Sequence, residues 1–341
     1  MTKSSPSILA LLLAMLIAMT SAAGTLRREE TLNLPAEGLE LIILGNGSGL
    51  LDCVGEDRED VLVELVFKAG GRSRDKAERL LQAASLSVLR DANELRLKPN
   101  LPHGKIWLDI LVRLPRHLEI HAGVGSGELR LRDLAGSLDL EAGSGTVDAR
   151  DIDADVDVKV GSGDIRLRDI GGAVRAQVGS GNLSVKRVQS CQAKASSGDL
   201  ELLSIFGLCK AETGSGDIFV RKVMGPAELE TGSGDINASG LLDRVRTRSG
   251  SGDQTLRGLG HPDQELFIRA TSGDLDLGFI PEASYRLELK TSSGDVDARI
   301  PMQVLEITRR QLEALIGRGE TRARIETSTG DIRIRATEET P

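Results

Sequence analysis

A Gly-Ser-Gly-Asp turn returns along this chain at a nearly fixed distance, and that distance limits what the chain can fold into. The last glycine of the motif falls at Gly127, Gly145, Gly163, Gly181, Gly198, Gly216, Gly234, Gly252, Gly273, Gly294 and Gly330. Successive spacings are 18, 18, 18, 17, 18, 18, 18, 21, 21 and 36 residues. An earlier relative stands at Gly47-Ser48-Gly49. Such a period marks one supersecondary unit that cannot bury its apolar face alone and is stacked on copies of itself.

Alignment on that glycine shows what each coil contains. The second residue after it is aliphatic at Leu129, Val147, Ile165, Leu183, Leu200, Ile218, Ile236, Leu275, Val296 and Ile332, with Gln254 the one departure. The fourth is again aliphatic, as in Leu131, Leu167, Val185 and Leu202, and the positions between are mostly polar. Period-two alternation of this kind is a half-buried strand. A second alternating strand precedes each motif, as in Val156-x-Val158-x-Val160, and one further aliphatic (Ile152, Ile170, Val188, Ile205) marks a corner between the strands. The fold class that follows is all-β: a parallel β-solenoid of about 18 residues per rung, with two strands per rung. Length changes, including the 301–321 insertion, are expected at the corner opposite the Gly-rich turn.

The ends depart from the repeat. Ser73 is placed to cap a short helix whose Ala77, Leu80, Leu81 and Ala84 share one face, and a helical turn is expected around residues 309–316. Residues 1–23 read as a signal peptide, with Lys3 in the n-region, an apolar run over 8–19 and small residues at 21–23. The domain organisation expected is therefore a signal peptide over 1–23, an N-terminal strand-rich cap with the first rungs over 24–122, the regular solenoid over 123–300, and an insertion with a C-terminal rung over 301–341. Export to the periplasm, the outer cell surface or the medium follows from the signal peptide. The balance of 43 basic against 51 acidic residues argues against nucleic acid or an anionic membrane surface as a partner. With Trp107 and Tyr285 as the sole Trp and Tyr, stacking platforms for bases or sugars are hard to build.

The recurring S-G-D-[IL]-x-[LI] turns, with the segment ILVRLPRHLEIH at 110–121, resemble the bacterial putative-adhesin family of β-strand-repeat proteins, a domain of unknown function. The resemblance spans residues 39–336. It implies the solenoid fold and supplies no catalytic residues.

Several constellations invite chemistry. Asp199, Asp217, Asp235, Asp253, Asp274 and Asp295 are expected to stack on consecutive rungs, with Asp164 and Asp331 outside the run. They are calcium candidates, because hard cations take carboxylate oxygens; the alternative is that each carboxylate accepts backbone N–H groups within its own turn. A basic column at the fifth position (Arg132, Arg150, Arg168, Lys186, Arg221, Arg257, Arg299, Arg335) is either a strip for an acidic polymer or a set of solvated cations paired with acids such as Asp133, Asp151 and Asp169. Cys191 and Cys209, 18 residues apart, occupy one inward position on adjacent rungs and are either a disulfide or two stacked thiols. Cys53 reads as a buried thiol. His117, Glu119 and His121 share a strand face, but strand rise separates the two histidines by about 13 Å. Gly45-Asn46-Gly47-Ser48-Gly49 lacks the following helix that a dinucleotide-binding turn requires.

These readings point to a non-catalytic cell-envelope scaffold or adhesin-like interaction module. It would need no cofactor, have no membrane span after signal cleavage, and take an unidentified protein or envelope polymer as its partner. The alternatives are a polysaccharide-active β-helix enzyme and a calcium-binding β-roll.

Overall fold

The computed structural model describes residues 20–22, 25–71 and 73–337. The expected signal peptide lies outside the described residues, except for Thr20–Ala22, whose backbone pairs antiparallel with Thr25–Pro35. The chain divides into two compact units, Met1–Gly172 and Ala173–Pro341.

In the first unit, Leu41–Glu56 is the earliest coil, and its partners are distant in sequence. Along one side it pairs in parallel with Glu119–Leu134, Ser48 opposite Ser126 and Gly49 opposite Gly127. The Gly-Asn-Gly-Ser-Gly segment is thus the first turn of the repeat. Along the other side it takes Glu94–Asn100 and Ile106–Pro115, also in parallel. Antiparallel strands then close this end, Asp60–Gly70 lying between Ile106–Pro115 and Thr25–Pro35. Leu138–Ile152 continues the parallel stack from Glu119–Leu134.

Helix Arg74–Ala83 forms where the sequence places it. The Ser73 hydroxyl accepts the Lys76 N–H at 3.3 Å, and Ala77, Leu80 and Leu81 are buried. No basic residue lies in its last turn, so its terminal carbonyls need a donor from elsewhere. Arg28 supplies it. Its guanidinium donates to the Leu81 and Ala84 carbonyls and lies 4.3 Å from the centre of the Phe67 ring.

The second unit is the regular stack. Leu183, Leu200, Ile218, Ile236, Gln254 and Leu275 follow one another in register, coil on coil. All are buried, so each inward position is a file of like side chains running across the strands. Gln254 fits the file because its amide is satisfied. Its Nε2 donates to Ser249 Oγ and to the Arg269 carbonyl, each at 2.8 Å, and its Oε1 accepts from the Thr247 hydroxyl. Interior polar groups at three positions replace what would otherwise be unpaired dipoles.

Two expectations fail at the far end. After Leu266–Ser272, the next strand in space is Thr321–Thr329, not Tyr285–Ser293. Tyr285–Ser293 pairs with the other side of Thr321–Thr329, so the last coil in sequence sits between the two before it. The 301–321 insertion is also not a corner loop with a helical turn. Gln303–Ile307 and Gln311–Ile316 form an antiparallel pair, and Gln311–Ile316 binds the free edge of Tyr285–Ser293. Leu312, Ala314 and Ile316 are buried in alternation. The period is two, which is that of a strand and not of the expected helical turn.

Candidate functional site

The Gly-Asp edge of the second unit carries the densest array of like groups. Each motif glycine lies at positive φ, as at Gly216 (+142°), where an added Cβ would come 2.2 Å from the Gly198 carbonyl oxygen. Only glycine allows the coils to approach this closely. The aspartate that follows then reaches one coil along the stack. Asp217 N–H donates to Asp199 Oδ1 at 2.9 Å, Asp235 N–H to Asp217 Oδ1 at 2.8 Å, and Asp253 N–H to Asp235 Oδ1 at 2.8 Å. The series continues through Asp274, Asp331 and Asp295. At its start Asp199 N–H donates to Asn182 Oδ1 at 3.1 Å.

Two sequence expectations are corrected here. The carboxylates accept N–H groups from the neighbouring coil, not from their own turn. Asp331 lies inside the run, between Asp274 and Asp295, because its coil is inserted there. Stacked carboxylates about 4.8 Å apart repel by about 0.9 kcal/mol per pair even in water. The N–H donors offset this, and Arg333 bridges Asp274 and Asp331 at 2.8 and 2.9 Å. The N–H of Asp295 and the Arg333 guanidinium hold the Asp331 carboxyl below the usual range. Among the described residues, no three or more His, Cys, Asp or Glu side chains gather as a cation-binding group.

A second ladder, of hydroxyls, escaped the sequence reading. Thr213 and Thr231 are buried and donate to the carbonyls of Gly198 and Gly216 at 3.2 and 3.1 Å. Thr327 and Thr291 do the same for Gly273 and Gly330. The available signal was a polar residue at the last inward position before the turn, where the first unit carries Val124, Ala142 and Val160. A third feature recurs at the corner of the coils: Asp133, Asp151 and Asp169 in the first unit, and Arg187, Ser204, Lys222, Gly240 and Gly258 in the second, all sit in the left-handed region, and the two glycines marked it in the sequence.

The basic column is largely paired. Lys186 meets Glu201 at 2.9 Å, Arg257 meets Asp276 at 2.7 Å and Arg299 meets Asp297 at 2.9 Å. Arg168 meets Asp169 at 3.6 Å and Arg132 meets Asp52 at 3.9 Å. Asp133 and Asp151 serve as left-handed corner residues. Arg221 lies 5.4 Å from the centre of the Phe219 ring.

Cys191 and Cys209 face each other in register on adjacent strands, and both are buried free thiols, as is Cys53. Burial pushes the Cys209 thiol up to about 12. It raises Cys191 well above the ordinary value too, with the neighbouring Cys209 adding to it. Burial, with a contribution from Asp52, raises Cys53 as well. His121 Nε2 lies 3.0 Å from Glu119 Oε1 on an exposed strand face, and His117 belongs to the turn before that strand.

Two open hollows lie on the surface among the described residues. One of about 220 Å3 is lined by Lys210, Glu212, Glu228, Glu230, Arg246 and Arg248. Another, of about 260 Å3, lies among Glu128, Arg130, Arg132, Asp148 and Arg150. Among the described residues, no helix is long and apolar enough to cross a membrane.

Among solved structures, the chain is similar to a putative cell adhesion protein from Clostridium sporogenes ATCC 15579, at 13% identity, 91% coverage of this chain, 100% of that one and a TM-score of 0.20. It is similar to a putative lipid binding protein from Parabacteroides distasonis ATCC 8503, at 13% identity, coverages of 75% and 95% and a TM-score of 0.37. A putative adhesin from Bacteroides fragilis NCTC 9343 matches at 12% identity, coverages of 90% and 97% and a TM-score of 0.27. No curated protein matches the chain. Residues 168–335 match the model of the Toastrack DUF4097 family.

Proposed function

We propose that this protein is a non-catalytic interaction module of the cell envelope, adhesin-like in presenting a rigid repeat surface to a partner. The observation that carries this reading is the use made of the repeated polar groups. Asp, Thr and Gly at the turn edge are occupied in holding one coil to the next, through carboxylate-to-N–H and hydroxyl-to-carbonyl bonds. A carboxylate oxygen that already accepts the main-chain N–H of the next coil is engaged in structure and not aimed at a bound substrate. The signal peptide expected at residues 1–23 supports residence outside the cytoplasm.

Crosslinking in living cells, followed by identification of the captured molecule, tests the proposal. Capture of a defined envelope protein or polymer is expected. Turnover by the purified chain on a panel of envelope and plant polysaccharides would replace this reading with that of a β-helix enzyme.

A further inference from the structure

Five of the ten large apolar side chains exposed among the described residues lie between positions 206 and 242: Phe206, Leu208, Phe219, Met224 and Leu242. Three of them form a file. Phe206, Met224 and Leu242 each follow the buried corner aliphatic of their coil (Ile205, Val223, Leu241) and are 48%, 58% and 41% exposed. Their own N–H groups bond to the preceding coil, to Val188, Ile205 and Val223 carbonyls at 3.1, 2.9 and 2.9 Å. Two residues before each stands a left-handed residue, Ser204, Lys222 or Gly240, with φ of 60°, 61° and 64°. The same turn therefore aims each side chain the same way, about 4.8 Å from the next.

The result is an apolar ridge on an outside corner. Behind Met224 an added Cβ on Gly225 would sit 2.6 Å from the Gly207 carbonyl carbon, so the coils are in close contact and the ridge is preformed. Its cationic neighbours are Arg221, Lys222 and Arg244, and Asp243 is the one acid among residues 204–208, 221–226 and 240–244. The acidic excess of the whole chain is thus reversed locally. In the first unit the corresponding corner carries Asp133, Asp151, Asp153 and Asp155 instead.

We propose that this ridge docks into the headgroup boundary of an anionic lipid bilayer. It deepens the interaction-module reading above by naming a partner, and rests on that reading only for the compartment. Three features favour lipid over a protein groove. The ridge is convex, so it enters a soft medium without needing a complementary slot. Its main-chain N–H groups are bonded coil to coil, so insertion strands none of them in an apolar phase. Cations at its flanks match anionic headgroups, as in interfacial elements that bury an apolar face by about 5–10 Å.

The test is co-sedimentation of the full chain with vesicles of phosphatidylcholine alone, or of phosphatidylcholine with phosphatidylglycerol, at low and high salt. Binding to the anionic vesicles is expected, weakened by salt. The variant Phe206→Ser/Met224→Ser/Leu242→Ser should bind at least tenfold more weakly, while Leu89→Ser, which removes an exposed leucine elsewhere, should bind as the parent does. Lys222→Gln/Arg244→Gln should weaken binding by about fivefold per cation removed. Circular dichroism and melting temperature establish that each variant folds. No binding of the parent to either vesicle overturns the proposal, as does equal binding by the triple-serine variant. Self-association of the parent that the triple variant abolishes, with no vesicle binding, would assign the ridge to a second copy of the chain and overturn the lipid assignment. Failure here leaves the crosslinking test of the interaction module standing, since a captured envelope protein needs no lipid contact.

Discussion

Asp331 donates its main-chain N–H to Oδ1 of Asp274 at 2.8 Å, across 57 residues of sequence. The bond exists because the last coil returns to lie between two earlier ones. Sequence-adjacent coils 266–279 and 285–299 are therefore held apart by 321–336.

That order can be tested by chemistry. Ser272 and Thr329 are exposed neighbours in register, and Thr329 is in turn the neighbour of Ser293. With a short bifunctional thiol reagent, Ser272→Cys/Thr329→Cys should crosslink readily. Ser272→Cys/Ser293→Cys, two strand spacings or about 10 Å apart, should not. Peptide mapping of the crosslinked product reads the outcome, and the reverse result would restore the sequential order.

The aspartate ladder requires an acceptor oxygen and not a charge, as Asn182 at its start already illustrates. Asp217→Asn/Asp235→Asn should leave the melting temperature unchanged or raised, since repulsion is removed and both acceptors remain. Asp217→Ala/Asp235→Ala should cost about 1–2 kcal/mol for the two lost bonds. A ladder that held calcium would behave otherwise: the asparagine variant would then lose a chelator-sensitive rise in melting temperature.

Stability should depend on pH through carboxylates whose folded values are depressed. Arg257 holds Asp276 low, and the Asp295 N–H with Arg333 holds Asp331 low. A depressed folded value means the unfolded chain binds protons first as pH falls, so stability is fully present above the ordinary aspartate value of about 3.9 and is lost on going below it. Thermal melts should be flat from neutrality to about pH 5 and fall below about pH 4. Asp276→Asn should flatten the fall.

Backbone geometry makes two substitutions act in opposite directions. Gly234→Ala places a Cβ 2.1 Å from the Gly216 carbonyl oxygen and should destabilise by about 3 kcal/mol or more. Ser204→Gly relieves a left-handed non-glycine residue with φ of 60° and should stabilise by about 0.5–1 kcal/mol. Chemical denaturation of the two variants beside the parent measures both.

Cys191 and Cys209 carry parallel Cβ bonds at the strand spacing of about 4.8 Å, beyond the 3.5–4.5 Å that a disulfide prefers. All three cysteines should therefore titrate as thiols in denaturant without reductant. In the native state they should react slowly, since burial raises their pKa and closes access. Mass spectrometry after alkylation counts them, and a loss of two reactive thiols would instead establish the Cys191–Cys209 bond.

The repeat period, the inward aliphatic files, the close-approach glycines and the capped helix at Ser73 were all set by local chemistry, and local chemistry is written in sequence. Alternation, Gly spacing and a capping hydroxyl each act within one coil or one turn. What lay beyond reach depends on which coil meets which. Gln254 looked like a break in the core until Thr247, Ser249 and the Arg269 carbonyl were brought around its amide. The Asp column looked like an intra-turn feature until each carboxylate met the N–H of its neighbour. The end of the stack looked sequential until Thr321–Thr329 took the place beside Leu266–Ser272. Coils of equal period fit one another in any order, so periodicity determines the unit and only tertiary contact determines the sequence of stacking.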